Sequence, residues 1–171
     1  MRILGVDCSR AAGNEGCVGG LYENSWAHIR SYGGIMSNYL YHYSAIEQHC
    51  QFSPNQIAAK LDWFQNHCPR DELASKEAVA TVGPVSVAIE ASCYGFKDYS
   101  QGVYSSAGCG SYYKSLNHAA LVVGYGTESG EDYWLVKNSW GTGWGDRGYV
   151  KILRNWNNMC GIAWRGAFPT V

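Results

Sequence analysis

Three short apolar segments, His118 to Gly126, Asp132 to Asn138 and Gly148 to Leu153, follow one another closely, with glycine-containing turns between them. Segments of this length bounded by turn residues read as strands, and neighbours joined by short turns pair antiparallel. A fourth, Val85 to Ala91, starts directly after Gly83-Pro84 and reads the same way. The earlier half of the chain has a different period. Tyr22, Trp26 and Ile29 recur at helical spacing within Leu21 to Tyr32, and Gly33-Gly34 supplies a left-handed stop. Asp71 can cap a second helix running to Val82, with Ala74, Ala78 and Val82 on one side. Ser37 to Pro54 is rich in Tyr, shows no sustained period and includes Cys50, so it reads as an irregular segment tied by a disulfide. Helices early and strands late predict an α+β fold, with a mostly helical part packed on an antiparallel sheet or barrel.

The 171 residues suffice for one large or two small domains, and 46% of them are hydrophobic. Only 16% are charged, against about 25% in an average soluble domain, so disorder is excluded. Thirteen Lys+Arg balance 14 Asp+Glu with no basic block, so no nucleic-acid partner is expected. No run approaches the roughly 20 apolar residues of a spanning helix, and no membrane partner is expected either. Met1 to Gly20 contains Asp7, Arg10 and Glu15 and no continuous apolar stretch, so no signal peptide is read there. Seven cysteines (Cys8, Cys17, Cys50, Cys68, Cys93, Cys109 and Cys160) are scattered without a C-x-x-C pair, a usage typical of disulfides in an oxidising compartment. Their odd number leaves at least one thiol free or deprived of its partner. His28, His49 and His67 have no Cys, Asp or Glu partners at metal-ligand spacing and read as surface or helix-face residues. No metal or other cofactor is implied.

His118 opens one strand and Asn138 closes the next. Counting back along both arms from a turn near residues 128–130 sets the two opposite each other. Directly opposed side chains have Cβ atoms roughly 4.5–5.5 Å apart, close enough for an amide oxygen to accept a proton from one imidazole nitrogen. The other nitrogen is then free for acid/base work, the arrangement of a base held by an orienting partner. Trp140 follows two residues later and is placed to shield the pair from water. For an isolated His and Asn, capping of two strands is the simpler account.

The flanking sequence decides between them. Asn117-His118-Ala119, Val122-Val123-Gly124-Tyr125-Gly126, Tyr133 to Gly141 (YWLVKNSWG), Trp144-Gly145 and Gly148-Tyr149 closely resemble the papain family of cysteine peptidases, and its cathepsin L-like branch in particular. The resemblance continues in Val6 to Ser9, Gly16 to Gly20, Ala78 to Ile89, Cys160 to Ala163 and Phe168 to Val171. It implies a papain-like two-domain fold and hydrolysis of peptide bonds by Cys-His-Asn chemistry. His118 takes the role of the catalytic imidazole, Asn138 of its orienter and Trp140 of the shielding indole.

The same resemblance places the nucleophilic cysteine in a Cys-Gly-Ser-Cys-Trp-like segment about 130 to 150 residues before the histidine, upstream of Met1. The expectation is therefore a chain lacking its nucleophile and inactive by itself. It divides into 1–66, the remnant of a helical left domain without its central helix, and 67–171, a largely complete, antiparallel barrel-like right domain. The apolar face of the first helix should then lie uncovered. A non-catalytic pseudopeptidase, or a structural or templating peptide-binding protein, is the alternative.

Further expectations come from the resemblance alone. Disulfides join Cys8 to Cys50 and Cys109 to Cys160, and Cys17 is an orphan. Cys68 and Cys93 have no counterpart in the family pattern; they either pair with each other or stay as buried thiols. Gly19 and Gly20 resemble the backbone strip that holds an extended peptide. Tyr22, Ala88, Leu116 and Ala119 resemble the walls of the pocket for the second residue before the cut, with Arg165 at its variable floor. Asn117 stands where an aspartate is common, a departure of no expected consequence for the chemistry. Implied partners are peptide or protein substrates and an inhibitory propeptide or cystatin-like inhibitor. A monomer in a lysosomal or extracellular setting is implied too.

Overall fold

The computed structural model describes residues 2–66 and 69–171. His67 and Cys68 lie outside the described residues, and with them the question of a Cys68–Cys93 pair. The chain forms two compact units, Met1–Gln65 with Pro169–Val171, and Asn66–Phe168. The partition at 66/67 read from the sequence differs in placing Asn66 with the first part and 169–171 with the second.

In the first unit, helix α1 (Arg2–Cys8) delivers two anchors at its end. Cys8 is bonded to Cys50. Asp7 is buried and accepts hydrogen bonds from the Tyr41 hydroxyl at 2.7 Å and from the Gln48 N–H at 2.9 Å. The aperiodic stretch around residues 37–54 is thus held by a disulfide and by polar ties, among them the Arg10–Glu47 ion pair, instead of a ladder. Strand β1 (Ile35–Met36) pairs antiparallel with β2 (Ile57–Ala59).

Helix α2 (Tyr22–Ser31) corrects one expectation directly. Its inner face is covered: Trp26 is 1% and Ile29 2% exposed. The Trp26 ring lies 5.4 Å from Tyr22 and 5.5 Å from Phe64, which stands in strand β3 (Trp63–Asn66). Phe64 supplies packing from a distant part of the sequence, so the helix finds partners within its own unit. His28, expected at a surface or helix face, is on the helix but buried, with its ring 4.2 Å from Tyr32; His49 is exposed.

The second unit begins with α3 (Glu72–Thr81), capped by Asp71 through its carboxylate, which accepts from the Ala74 N–H at 2.8 Å. The sheet of this unit contains β4 (Val85–Ile89), β5 (Val103–Tyr104), β6 (His118–Glu128), β7 (Glu131–Lys137), β8 (Tyr149–Leu153) and β9 (Gly166–Thr170), in the order β9-β4-β6-β7-β8-β5. Pairing is antiparallel except for β5, which runs parallel to β8. Alternation in β4 buries Val85, Val87 and Ile89 together with Val122, Trp134, Val136, Val150 and Ile152 in one core, to which α3 adds Ala78.

The β6–β7 register differs from the simple count. Glu128 pairs with Glu131 around a two-residue Ser129-Gly130 turn, but Val122 pairs with Val136 while Gly124 pairs with Leu135. Val123 is the extra residue of a bulge. Ladder pairing ends at Leu121 opposite Lys137, so His118 and Asn138 are not a cross-strand pair.

Candidate active site

His118 and Asn138 nevertheless meet, because Asn138 lies just past the end of β7 and its side chain turns toward β6. The Asn138 oxygen Oδ1 is 2.8 Å from His118 Nε2. The same oxygen accepts the Ser139 backbone N–H at 2.6 Å. That second bond settles the proton placement. A backbone N–H only donates, so the amide atom it meets is the oxygen, and the imidazole nitrogen facing that oxygen carries the proton. Nε2 is then the donor in the neutral ring, and Nδ1 keeps its lone pair for proton exchange. Asn138 is 6% exposed, so the bond is sheltered.

Trp140 packs against His118 with its ring centroid 5.0 Å from that of the imidazole and a tilt of 43°. It is held in turn by edge contacts to Trp144 at 5.0 Å and to Phe96 at 5.8 Å. Trp144 is fixed through its indole N–H, which donates to the Lys97 carbonyl at 2.8 Å. Behind them the phenol groups of Tyr99 and Tyr104 are shifted above their ordinary range by burial and donate to the carbonyls of Gly102 and Tyr94. Trp144 stands out in the sequence only as part of a motif; its place as a prop for Trp140 follows from packing across a loop.

Asn117 is tied to the end of β4. Its N–H donates to the Ile89 carbonyl at 3.1 Å, its Oδ1 accepts the Ala91 N–H at 2.9 Å, and its Nδ2 donates to Ser92 Oγ at 2.9 Å. These bonds clamp the end of β4 to the start of β6, where Ile89 pairs with His118.

Among the residues expected to line a peptide pocket, the structure groups those of the second unit. Ala88 and Ala119 are a cross-strand pair. The Arg165 carbonyl accepts the Ala88 N–H at 3.1 Å. Leu116 reaches Gly161 so closely that a β-carbon there would lie 2.7 Å from Leu116 Cδ2. Gly19, Gly20 and Tyr22 belong to the first unit. A β-carbon at Gly20 would fall 2.4 Å from Asn14 Oδ1, the atom that accepts the Leu21 N–H at 2.9 Å. Glycine is needed there so that Asn14 can hold the chain entering α2. Tyr22 is half-buried against Trp26. Cys17 is exposed and takes part in no disulfide.

An imidazole hydrogen-bonded to an asparagine and flanked by an indole, on an α+β framework, can exchange a proton at its free nitrogen. The chain belongs to the papain family of cysteine proteases, whose model matches residues 5–170. It is 52% identical over 167 residues to cathepsin L1 of Drosophila melanogaster, covering 97% of this chain and 44% of that protein. Cathepsin L of Sarcophaga peregrina is likewise 52% identical, with 97% and 49% covered. Digestive procathepsin L 3 of Tenebrio molitor larval midgut superposes with a TM-score of 0.90 at 40% identity, over 97% of this chain and 53% of that one. The chain is thus cathepsin L-like, and it spans about half the length of the curated relatives it matches.

These findings overturn the reading of a truncated remnant defined by a missing nucleophile. The family match runs through both units, the helical one included, and the papain-like fold is matched over 97% of this chain. The expected inactivity rested on counting backward past residue 1, and the position at which a sequence starts does not establish what the protein lacks. The predicted inactivity and the truncated left domain are withdrawn together.

Proposed function

We propose that this protein is a cysteine-type endopeptidase in which His118 is the catalytic imidazole, Asn138 its positioning residue and Trp140 its cover. The observation that carries the reading is the double acceptance at Asn138 Oδ1, which leaves His118 Nδ1 as the proton-accepting atom. In the reaction, Nδ1 takes the proton of a cysteine thiol, and the thiolate attacks the peptide carbonyl. The imidazolium then protonates the departing amine, and water releases the acyl group with His118 acting as base. Trp140 keeps bulk water from competing for the His118–Asn138 bond.

Peptide and protein substrates follow from this chemistry, with Ala88, Leu116 and Ala119 of the second unit lining the pocket for the second residue before the cut, and Gly19, Gly20 and Tyr22 of the first unit assigned to substrate contact by the family resemblance. Arg165 gives that pocket a cationic floor that favours acidic or aromatic side chains. Regulation by an inhibitory propeptide or a cystatin-like inhibitor, a monomeric state and a lysosomal or extracellular location belong to the same proposal. No helix among the described residues is long and apolar enough to cross a membrane.

The test is hydrolysis of a fluorogenic peptide library by the complete gene product. Loss of turnover of at least about a thousandfold on His118→Ala supports the assignment. Turnover that survives this change refutes it. A library preference left unchanged by Arg165→Ala removes the cationic floor.

A further inference from the structure

Cys93, Cys109 and Cys160 converge in the second unit, their sulfur atoms all within 4.8 Å of one another. Cys109 stands in disulfide relation to both neighbours, with Cα separations of 5.0 Å to Cys93 and 5.1 Å to Cys160. Both separations fall in the range disulfides occupy, and a sulfur can hold only one such bond at a time. All three residues are buried, Cys160 completely.

The backbone around them is organised on Glu90. Its N–H donates to the Cys160 carbonyl at 2.9 Å, and its own carbonyl lies 3.3 Å from Cys93 Sγ and 3.7 Å from Cys109 Sγ. Its side chain accepts the Gly110 N–H at 2.9 Å. The three segments are therefore held at a common node whichever sulfur pair is joined. Cys160 also sits at φ 55°, a left-handed conformation that residues with a β-carbon disfavour.

We propose that these three residues form a thiol–disulfide exchange centre, in which one disulfide and one thiol are shared among three sulfurs. The Cys93 thiolate attacks Cys109 Sγ in the Cys109–Cys160 bond. The Cys93–Cys109 bond forms, the Cys109–Cys160 bond breaks, and Cys160 leaves as a thiolate that takes up the proton Cys93 gave away. The step is an isomerisation with no net oxidation and no external reagent. Its consequence is local: one isomer ties the loop around Cys109 to residues 159–161, the other ties it to the segment after β4, whose Ala91 is held by Asn117 beside His118.

Disulfide mapping of the intact protein tests this. The sample is acid-quenched, unfolded with a maleimide that traps thiols at mildly acidic pH, and digested without reduction for mass spectrometry. Both the Cys93–Cys109 and Cys109–Cys160 linkages are expected, each at no less than about a tenth of the total, with maleimide on the third cysteine in reciprocal amounts. Cys93→Ser and Cys160→Ser should each keep Cys109 fully disulfide-bonded to the remaining partner, with a native near-ultraviolet circular dichroism spectrum. One linkage alone in the wild type, or a Cys68–Cys93 peptide in its place, overturns the proposal. Should one serine variant fail to fold, the wild-type map still decides.

Discussion

Asn138→Ala probes the site at the atom on which its proton placement depends. The change removes the acceptor of two donors at once, His118 Nε2–H at 2.8 Å and the Ser139 N–H at 2.6 Å. Stranding a sheltered donor costs about 1–3 kcal/mol. The Ser139 amide can recover part of this from water once the side chain is gone, so the loss falls mainly on the imidazole. At about 1.4 kcal/mol per factor of ten, the held tautomer and orientation lose roughly 5- to 150-fold in population. Turnover by the complete gene product should fall by that factor in kcat with KM nearly constant, because the bond positions the base and touches no substrate. Nitrogen-15 spectra of the imidazole should show both tautomers in place of Nε2–H alone. Asn138→Asp, which keeps an acceptor at the same place, should retain the Nε2–H tautomer. A fall in kcat of less than about twofold, with the tautomer unchanged in the alanine variant, would refute the role given to Asn138.

Other expectations concern the scaffold. Trp26→Ala should cost about 3–5 kcal/mol in urea unfolding, since the ring is 1% exposed and packs on Tyr22 and Phe64; a loss under about 1 kcal/mol would mean that the α2 face is not packed as described. Asp71→Ala removes the cap on the Ala74 N–H and should cost about 1 kcal/mol, with Asp71→Asn recovering most of it. Burial holds the His28 imidazole below its ordinary pKa of 6.5. The unfolded chain therefore binds a proton that the folded chain resists. The stability tied to this group is complete above about pH 7 and is lost as pH falls through 6.5 toward the folded value. His28→Phe should flatten the acid limb of a stability–pH curve, and an unchanged limb would assign the acid sensitivity to other groups.

The regular elements that the sequence displays plainly are those with a strong local signal. Helix α2 shows Trp26 and Ile29 at helical spacing before Gly33-Gly34, α3 has Asp71 as a cap, and β4 and β6 to β8 are apolar runs bounded by turn residues. Strand β9 is masked by Pro169, a residue that reads against a strand. Helix α1 and the two-residue strands β1 and β5 are too short to show a period. The opposition of His118 and Asn138 in a simple hairpin count misses the bulge at Val123, whose local sign is the neighbouring Gly124 inside the strand. Their proximity survives by a different route, the side chain of Asn138 turning beyond the end of its strand. The cover on Trp26 comes from Phe64, far along the chain, and so is invisible to any local pattern. The convergence of Cys93 on Cys109 is equally hidden, because spacing alone does not determine connectivity among several cysteines.

The return of Pro169–Val171 to the first unit makes that unit discontinuous in sequence. Its Asp62 N–H donates to the Thr170 carbonyl at 2.8 Å. A fragment cut after residue 65 would forfeit that acceptor however intact its own helices, and autonomous expression of the helical portion calls for a permuted design in which the final three residues are spliced back beside Asp62.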